Sequence, residues 1–381
     1  MRGLVKYMSA DGNSWEWPFR CTNCNQPFPT SGFPYRCEKC GGLYDYQDPI
    51  SFDPVQSARP GRRSIERYRR SFPLPVNVDF VSLGEGDTPL LSHRISSREV
   101  FFKCEHFNPT GSFKDRGSAV LVTALIAAGI KEAVEDSSGN AGASLSAYAA
   151  RAGIQVRIFV PEYASGPKQS QIDAFGAQVV RIPGPRSATA EAVQREAEGG
   201  IAYASHAYLP HGIAGMATIA FEIEEQLQGA PGTVITPVGQ GTLLLGLHRG
   251  FRALQSAGVI DRIPALVGVQ ASACAPLWAI FSGGASGLSV ASEGETVAEG
   301  VRIIKPLRGD AILQAVGESG GRMIAVDEEK ILKGRDALAR IGLYVEPTSA
   351  LVIAALEDVL ETCPDPIVLI LTGSGFKALE G

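Results

Sequence analysis

The sequence predicts an α/β protein whose parallel sheets carry helices on both faces. Three observations support this. From Val81 onward, short β-branched runs alternate with longer helical stretches; the strand candidates are largely hydrophobic; and glycines close the helices. In chain order the predicted strands are 100–104, 133–137, 156–161, 178–182, 201–205, 233–238, 266–270, 323–326 and 367–371. Between them the pattern predicts helices over 113–128, 141–152, 170–175, 188–198, 213–228, 243–257, 328–341 and 349–361. Gly129, Gly153, Gly176, Gly258 and Gly342 stand just past helix ends, where a left-handed residue is needed. In such sheets ligands gather at the carboxyl ends of strands, so the chemistry is expected in the loops that follow strands.

The composition bounds the function. A chain of 381 residues suggests two or three domains and can bury a large core without cross-links. The net charge of −5 gives no global basic field for nucleic acid or an anionic membrane. One local run, RPGRRSIERYRR at 59–70, is basic. It is read as a solvated linker helix beginning near Ser64, with Tyr68 and Phe72 packing on the body; a nucleic-acid contact is the alternative. Residues 1–20 scatter Lys6, Asp11, Glu16 and Arg20 where an export signal needs an apolar stretch. The longest apolar segment, 118–130, is too short to span a bilayer. A cytoplasmic protein is therefore expected.

Four of the seven cysteines form two pairs, Cys21-x-x-Cys24 and Cys37-x-x-Cys40, separated by twelve residues. Each pair sits in a short turn, before Asn25 and before Gly41-Gly42, so four thiolates can surround one tetrahedral zinc. Four sulfurs close the coordination shell, which makes the expected role structural. Two disulfides or four free thiols are the alternatives.

Four loops between a strand and a helix, or after the last strand, hold the candidate chemistry. The first, Asn108-Pro109-Thr110-Gly111-Ser112-Phe113-Lys114-Asp115-Arg116-Gly117, opens a helix that Ser112 can cap, with Asp115 three residues on. Lys114 then lies in the first turn, where the helix dipole disfavours a cation. It is either a surface lysine or one held covalently beside an anionic cofactor. The second loop, Asp136-Ser137-Ser138-Gly139-Asn140-Ala141-Gly142-Ala143, exposes backbone N–H groups at a helix start, either as a carboxylate site or as a plain capped turn. The third, Pro237-Val238-Gly239-Gln240-Gly241-Thr242-Leu243, can wrap a phosphate, but lacks the endings of nucleotide loops. The fourth, Leu371-Thr372-Gly373-Ser374-Gly375, places hydroxyls at a strand end.

Taken together, NPTGSFKDRG, SSGNAG, VGQGTLLLG and LTGSG, with GEGDTPL at 84–90, resemble the threonine synthase-like branch of the fold type II (tryptophan synthase β-like) pyridoxal-phosphate (PLP) enzymes. The resemblance covers nearly the whole chain, including the N-terminal zinc ribbon that some of these enzymes share. It implies a ribbon over 1–50, a linker over 51–80, a large PLP-binding domain over 81–117 and 206–381, and a small mobile domain over 118–205, with PLP between the two. By resemblance, Lys114 carries the cofactor as an imine, Asn140 meets its phenolic oxygen, Gly239, Gln240, Gly241, Thr242 and Leu243 hold its phosphate, and Thr372 meets its pyridine nitrogen. Ser137 and Ser138 should bind the substrate carboxylate, with Thr88 also at the substrate. The implied reaction converts O-phospho-L-homoserine and water to L-threonine and phosphate in a homodimer.

The pattern departs from that branch at 208–216, YLPHGIAGM, where an arginine suited to the substrate phosphate is absent. His211 is the candidate substitute when protonated, or else a surface loop histidine, and Lys168 offers a further cation. GIAGMATIAFEI and TVAEGVRIIKP are similar to serine/threonine dehydratases. A threonine/serine dehydratase, or a β-replacement enzyme of the cysteate or cysteine synthase type, is the alternative activity. A zinc-ribbon binding protein with a vestigial PLP fold is the non-enzymatic one, which the intact Lys114 opposes.

Overall fold

The computed structural model describes residues 15–57 and 64–378. Residues 1–14 and the stretch 59–63 of the basic run lie outside the described residues. The strands are β1 (Phe19–Cys21), β2 (Tyr44–Tyr46), β3 (Leu90–Ile95), β4 (Arg98–Lys103), β5 (Glu132–Glu135), β6 (Gln155–Pro161), β7 (Gln178–Ile182), β8 (Ala202–Tyr203), β9 (Thr233–Pro237), β10 (Ala265–Ala271), β11 (Arg322–Val326) and β12 (Ile367–Ile370). The helices are α1 (Pro54–Ser57), α2 (Lys114–Ala127), α3 (Asn140–Ala152), α4 (Pro167–Ala174), α5 (Arg186–Glu198), α6 (Ile213–Leu227), α7 (Thr242–Ser256), α8 (Pro276–Gly283), α9 (Gly309–Glu318), α10 (Glu328–Arg340) and α11 (Pro347–Val359).

The chain divides into two compact units: the described residues up to Glu85 with Lys114–Gly215, and Gly86–Phe113 with the chain from Met216 on. The first unit holds a four-stranded parallel sheet in the order β7-β6-β5-β8. Val134, Phe159, Val193 and Tyr203 form its buried cluster. The ribbon's two strands pair antiparallel, Phe19 opposite Tyr46. The second unit holds a six-stranded sheet in the order β11-β10-β9-β12-β4-β3. It is parallel apart from β3, which runs antiparallel to β4. Its core joins Val100, Phe102, Ile235, Val267, Val269, Leu351, Ile367 and Leu369.

Every strand and helix predicted from periodicity forms, with ends shifted by a few residues. The C-cap glycines behave as the sequence requires; Gly153, for example, takes φ +67° and donates to the carbonyls of Ala149 and Ala150. The linker segment also matches: Ser64 caps a 3-10 helix over Ile65–Ser71, and Tyr68 and Phe72 are buried. Ser112 does not cap α2. Its backbone bridges to Gly373 instead, and its buried hydroxyl has no hydrogen-bond partner.

Candidate active site

The two cysteine pairs come together as a cluster that could hold a metal ion. Sγ atoms lie 3.4 Å apart for Cys21 and Cys40, 3.6 Å for Cys24 and Cys37, and 3.3 Å for Cys24 and Cys40. A tetrahedral zinc–thiolate centre has edges of about 3.8 Å, so the four ligands close on such an ion with only small shifts. All four cysteines are unbridged. Burial pushes the Cys37 thiol up, but N–H groups of Cys40 and Lys39 and the neighbouring thiols outweigh it and bring it down to about 6. A thiolate there is ready for a metal.

Beside this cluster lies His211, expected at the substrate. Its ring is fully buried among Phe19 (4.5 Å between centroids), Phe33 (4.7 Å), Trp17 (4.9 Å) and Phe28 (5.4 Å). Neither ring nitrogen has a hydrogen-bond partner, and burial pulls its pKa down to about 3. A neutral ring sealed in an aromatic cage cannot supply the cation that a phosphate needs, so His211 leaves the substrate set. It packs the ribbon instead. Arg36 reinforces that contact: its guanidinium lies 4.9 Å from the Tyr208 ring centre and donates to the Tyr208 hydroxyl at 2.9 Å.

In the second unit, a buried polar network sets two of the loops. Lys103 Nζ donates to Glu222 Oε2 and to the Thr88 carbonyl, both at 2.7 Å, and to Gln226 Oε1 at 3.0 Å. The Thr88 hydroxyl donates to Glu105 Oε1 at 2.6 Å. Asn108 donates to Glu105 Oε2 at 2.9 Å and accepts the Gly86 N–H at 2.9 Å. Thr88 was expected at the substrate; its hydroxyl donates to Glu105, which holds the loop that carries it. Gly111 takes φ +82°, and a β-carbon there would meet the Lys377 stem at 3.1 Å. Lys377 in turn donates to the Thr110 carbonyl at 2.8 Å. The Phe113 N–H donates to the Thr372 carbonyl at 3.0 Å. The Thr372 hydroxyl, at the end of β12, lies 3.0 Å from Ser349 Oγ.

The glycine loop of this unit has the form of an anion cradle. Gly241, at φ +77°, is the N-cap of α7, and no side chain caps that helix. A β-carbon at Gly239 would meet the Gly300 carbonyl at 2.6 Å, and one at Gly241 would collide with Ile312. Glycine is therefore required where amide groups and a helix N-terminus stand open to a phosphate. This fits the phosphate of PLP, and the buried, unpartnered Ser112 hydroxyl is a further polar atom of this unit that a ligand could satisfy.

In the first unit, Lys114 opens α2. Asp115 Oδ1 accepts the Ser144 hydroxyl at 2.6 Å, which ties α2 to α3. Gly142 presses on the Ser137 carbonyl so closely that a side chain would overlap it. Ser137 Oγ accepts the Gly139 N–H at 3.3 Å, and Gln169 donates to the Ser138 carbonyl at 2.6 Å. The loop before α3 is thus held from both sides, and no side chain caps the helix at Gly139. Asn140 is the first residue of α3. Sequence reasoning missed the pair that precedes this loop, Glu135 and His206, with His206 Nδ1 3.4 Å from Glu135 Oε1. The available signal was two consecutive acids, Glu135 and Asp136, directly before a loop suited to a carboxylate.

These loops define a cofactor enzyme. Residues 81–373 match the family described as pyridoxal-phosphate dependent enzyme, and the chain belongs to it. Within that family its relatives include threonine synthases. That of Methanocaldococcus jannaschii is 35% identical over 94% of this chain and 92% of its own length. That of Methanosarcina acetivorans is 33% identical over 94% and 91%. Among solved structures, a T.th. threonine deaminase superposes with a TM-score of 0.65 at 29% identity, covering 75% of this chain and 92% of that one. Maize serine racemase does so with a TM-score of 0.65 at 23% identity, covering 76% and 88%, which bears on the fold alone.

Proposed function

We propose that this protein is a PLP-dependent threonine synthase that converts O-phospho-L-homoserine and water to L-threonine and phosphate. The observation that carries the reading is the 35% identity to a threonine synthase along 94% of the chain. Lys114, Asn140, Gly239, Gln240, Gly241, Thr242, Leu243 and Thr372 are proposed to hold the cofactor. When bound, PLP withdraws electrons from the substrate Cα. The rest falls to the chain. The open amides at the start of α7 would receive the cofactor phosphate. The neutral Thr372 hydroxyl would meet the ring nitrogen without protonating it, which favours elimination and replacement over transamination. Ser137, Ser138 and the amides before α3 would orient the substrate carboxylate. The Lys114 amine would take the proton from Cα.

Cys21, Cys24, Cys37 and Cys40 are proposed to hold a structural zinc. The division into a large cofactor-binding part (81–117 and 206–381) and a small mobile part (118–205) belongs to the same proposal, as do a homodimer and a cytoplasmic location. No helix among the described residues is long and apolar enough to cross a membrane. The similarity to a threonine deaminase keeps dehydration of threonine or serine as the second reading. The test is product analysis of the holoenzyme. Equimolar threonine and phosphate from O-phospho-L-homoserine support the first reading. No phosphate, with 2-oxobutanoate formed from threonine, refutes it in favour of the second.

A further inference from the structure

Glu135 and His206 occupy the carboxyl ends of two neighbouring parallel strands. Glu135 ends β5, His206 follows β8, and the strands are paired with Val134 opposite Tyr203. That edge of a parallel sheet is where ligands bind. His206 Nδ1 lies 3.4 Å from Glu135 Oε1. The other carboxyl oxygen, Oε2, is buried and has no hydrogen-bond partner. A purely structural pair would be sealed and fully satisfied. This one is neither, because the His206 side chain keeps 27% of its surface open while Glu135 keeps 2%.

The surroundings set the charge state. Burial, and then the Asp136 carboxylate, push the Glu135 carboxyl well above the ordinary range, against the pull of Arg186 and Lys114. Burial, and then the positive charges of Lys114 and Arg186, hold His206 neutral. Asp136 is itself fixed, accepting the Tyr203 hydroxyl at 2.6 Å and lying 3.2 Å from the Arg186 guanidinium. Both shifts favour the uncharged forms, a carboxylic acid beside an imidazole, and Lys114 contributes to each.

We propose that Glu135 and His206 form a proton relay that serves the oxygen leaving group of the substrate and then the incoming water. The proposal rests on the threonine synthase reading for the identity of that leaving group. His206 Nε2–H gives its proton to the ester oxygen on Cγ as the carbon–oxygen bond breaks, and the bonding pair leaves with the phosphate. His206 Nδ1 takes up the Glu135 carboxyl proton at the same time. The relay is then a carboxylate beside an imidazole with a free Nε2. As the water oxygen bonds to Cβ, Nε2 accepts the water proton, and Nδ1 returns its own to Glu135. One proton has passed from water to phosphate and the relay is as it began. The proton lost from Cβ and the one gained at Cγ remain with Lys114, so the two tasks use different groups.

The test compares His206→Gln and Glu135→Gln with the parent holoenzyme. Cofactor loading and exchange of the Cα proton in deuterated water, followed by NMR, are expected to stay within about twofold, because Lys114 performs that step. Phosphate release from O-phospho-L-homoserine is expected to fall by about 10²–10³ in each variant. With L-2-amino-4-chlorobutanoate the leaving chloride needs no proton, so in the first turnover, before water addition can limit the rate, the deficit in its release should shrink to under about tenfold, and phosphate is compared in the same first turnover. Phosphate release within about threefold of the parent in both variants, or equal deficits for phosphate and chloride, overturns the relay. If the parent enzyme releases no phosphate, the substrate reading fails. The same variants on L-threonine, whose hydroxide leaves only with a proton, then decide the relay on its own.

Discussion

Replacing His211 by phenylalanine is expected to remove much of the protein's sensitivity to mild acid. The ring is fully buried among four aromatic side chains, and burial alone brings its pKa from the ordinary 6.5 to about 3. Above pH 6.5 the ring is neutral both folded and unfolded, and its protonation contributes nothing to pH dependence. Below 6.5 the unfolded chain binds a proton that the folded protein refuses, so stability falls as the pH drops toward 3. The slope is about 1.4 kcal/mol per pH unit, giving roughly 2 kcal/mol by pH 5 and on the order of 5 kcal/mol in full. His211→Phe keeps an aromatic ring in the cage and removes two nitrogens that lack partners, so at pH 7 it should match or exceed the parent. Urea unfolding followed by the emission of Trp17, which packs against His211, measures this directly. Acid loss of the proposed zinc would affect both proteins and cancel in the difference between them. The reasoning is refuted if the two proteins lose stability in parallel from pH 7 to pH 5.

Three further outcomes are expected. Lys103→Met strips a buried Glu222 carboxylate of the cation 2.7 Å away, at a cost of about 3–5 kcal/mol. Adding Glu222→Gln should recover part of that loss in a thermal melt; a single variant that melts with the parent would contradict the role given to the pair. The purified protein should carry about one zinc per chain by elemental analysis, and Cys37→Ser should lose it with a red shift of Trp17 emission. Retained metal in Cys37→Ser would count against the four-thiolate site. Lys114→Ala should abolish the borohydride-reducible attachment of PLP and Cα exchange together, with survival of either refuting the assignment of Lys114.

The parallel strands were legible because they are rich in β-branched and apolar residues, most clearly in β12, whose IVLI is buried throughout. Strand β3 was not. Its sequence, Leu-Leu-Ser-His-Arg-Ile, lies at the sheet edge with mostly exposed side chains, so no apolar pattern marks it. What makes it a strand is its pairing with β4 through the Ser96-Ser97 turn, a non-local fact. The ribbon strands β1 and β2 are three residues each, too short for periodicity to register.

At the site, the motif loops were readable because small residues at fixed spacing leave few roles open. Polar side chains were harder. His211 and His206 lie five residues apart in one segment, and nothing local distinguishes them. One is sealed in an aromatic cage built by residues 17–33, and the other meets a carboxyl carried by a different strand. The partner of the Thr88 hydroxyl was hidden for the same reason: Glu105 lies on the far side of a hairpin.

The position of β12 in its sheet has a consequence for synthesis. This strand lies between β9 and β4, with Ile367 facing both Thr233 and Val100, yet it follows both of them in the chain. Until it arrives, β4 and β9 each present an open hydrogen-bonding edge, and the apolar side chains of Val100, Phe102 and Ile235 lack their neighbour. At roughly 5–20 residues per second that interval lasts for tens of seconds. The nascent chain is thus at its most adhesive just before β12 emerges, and a truncation that removes this strand is expected to leave an aggregating product rather than a shortened enzyme.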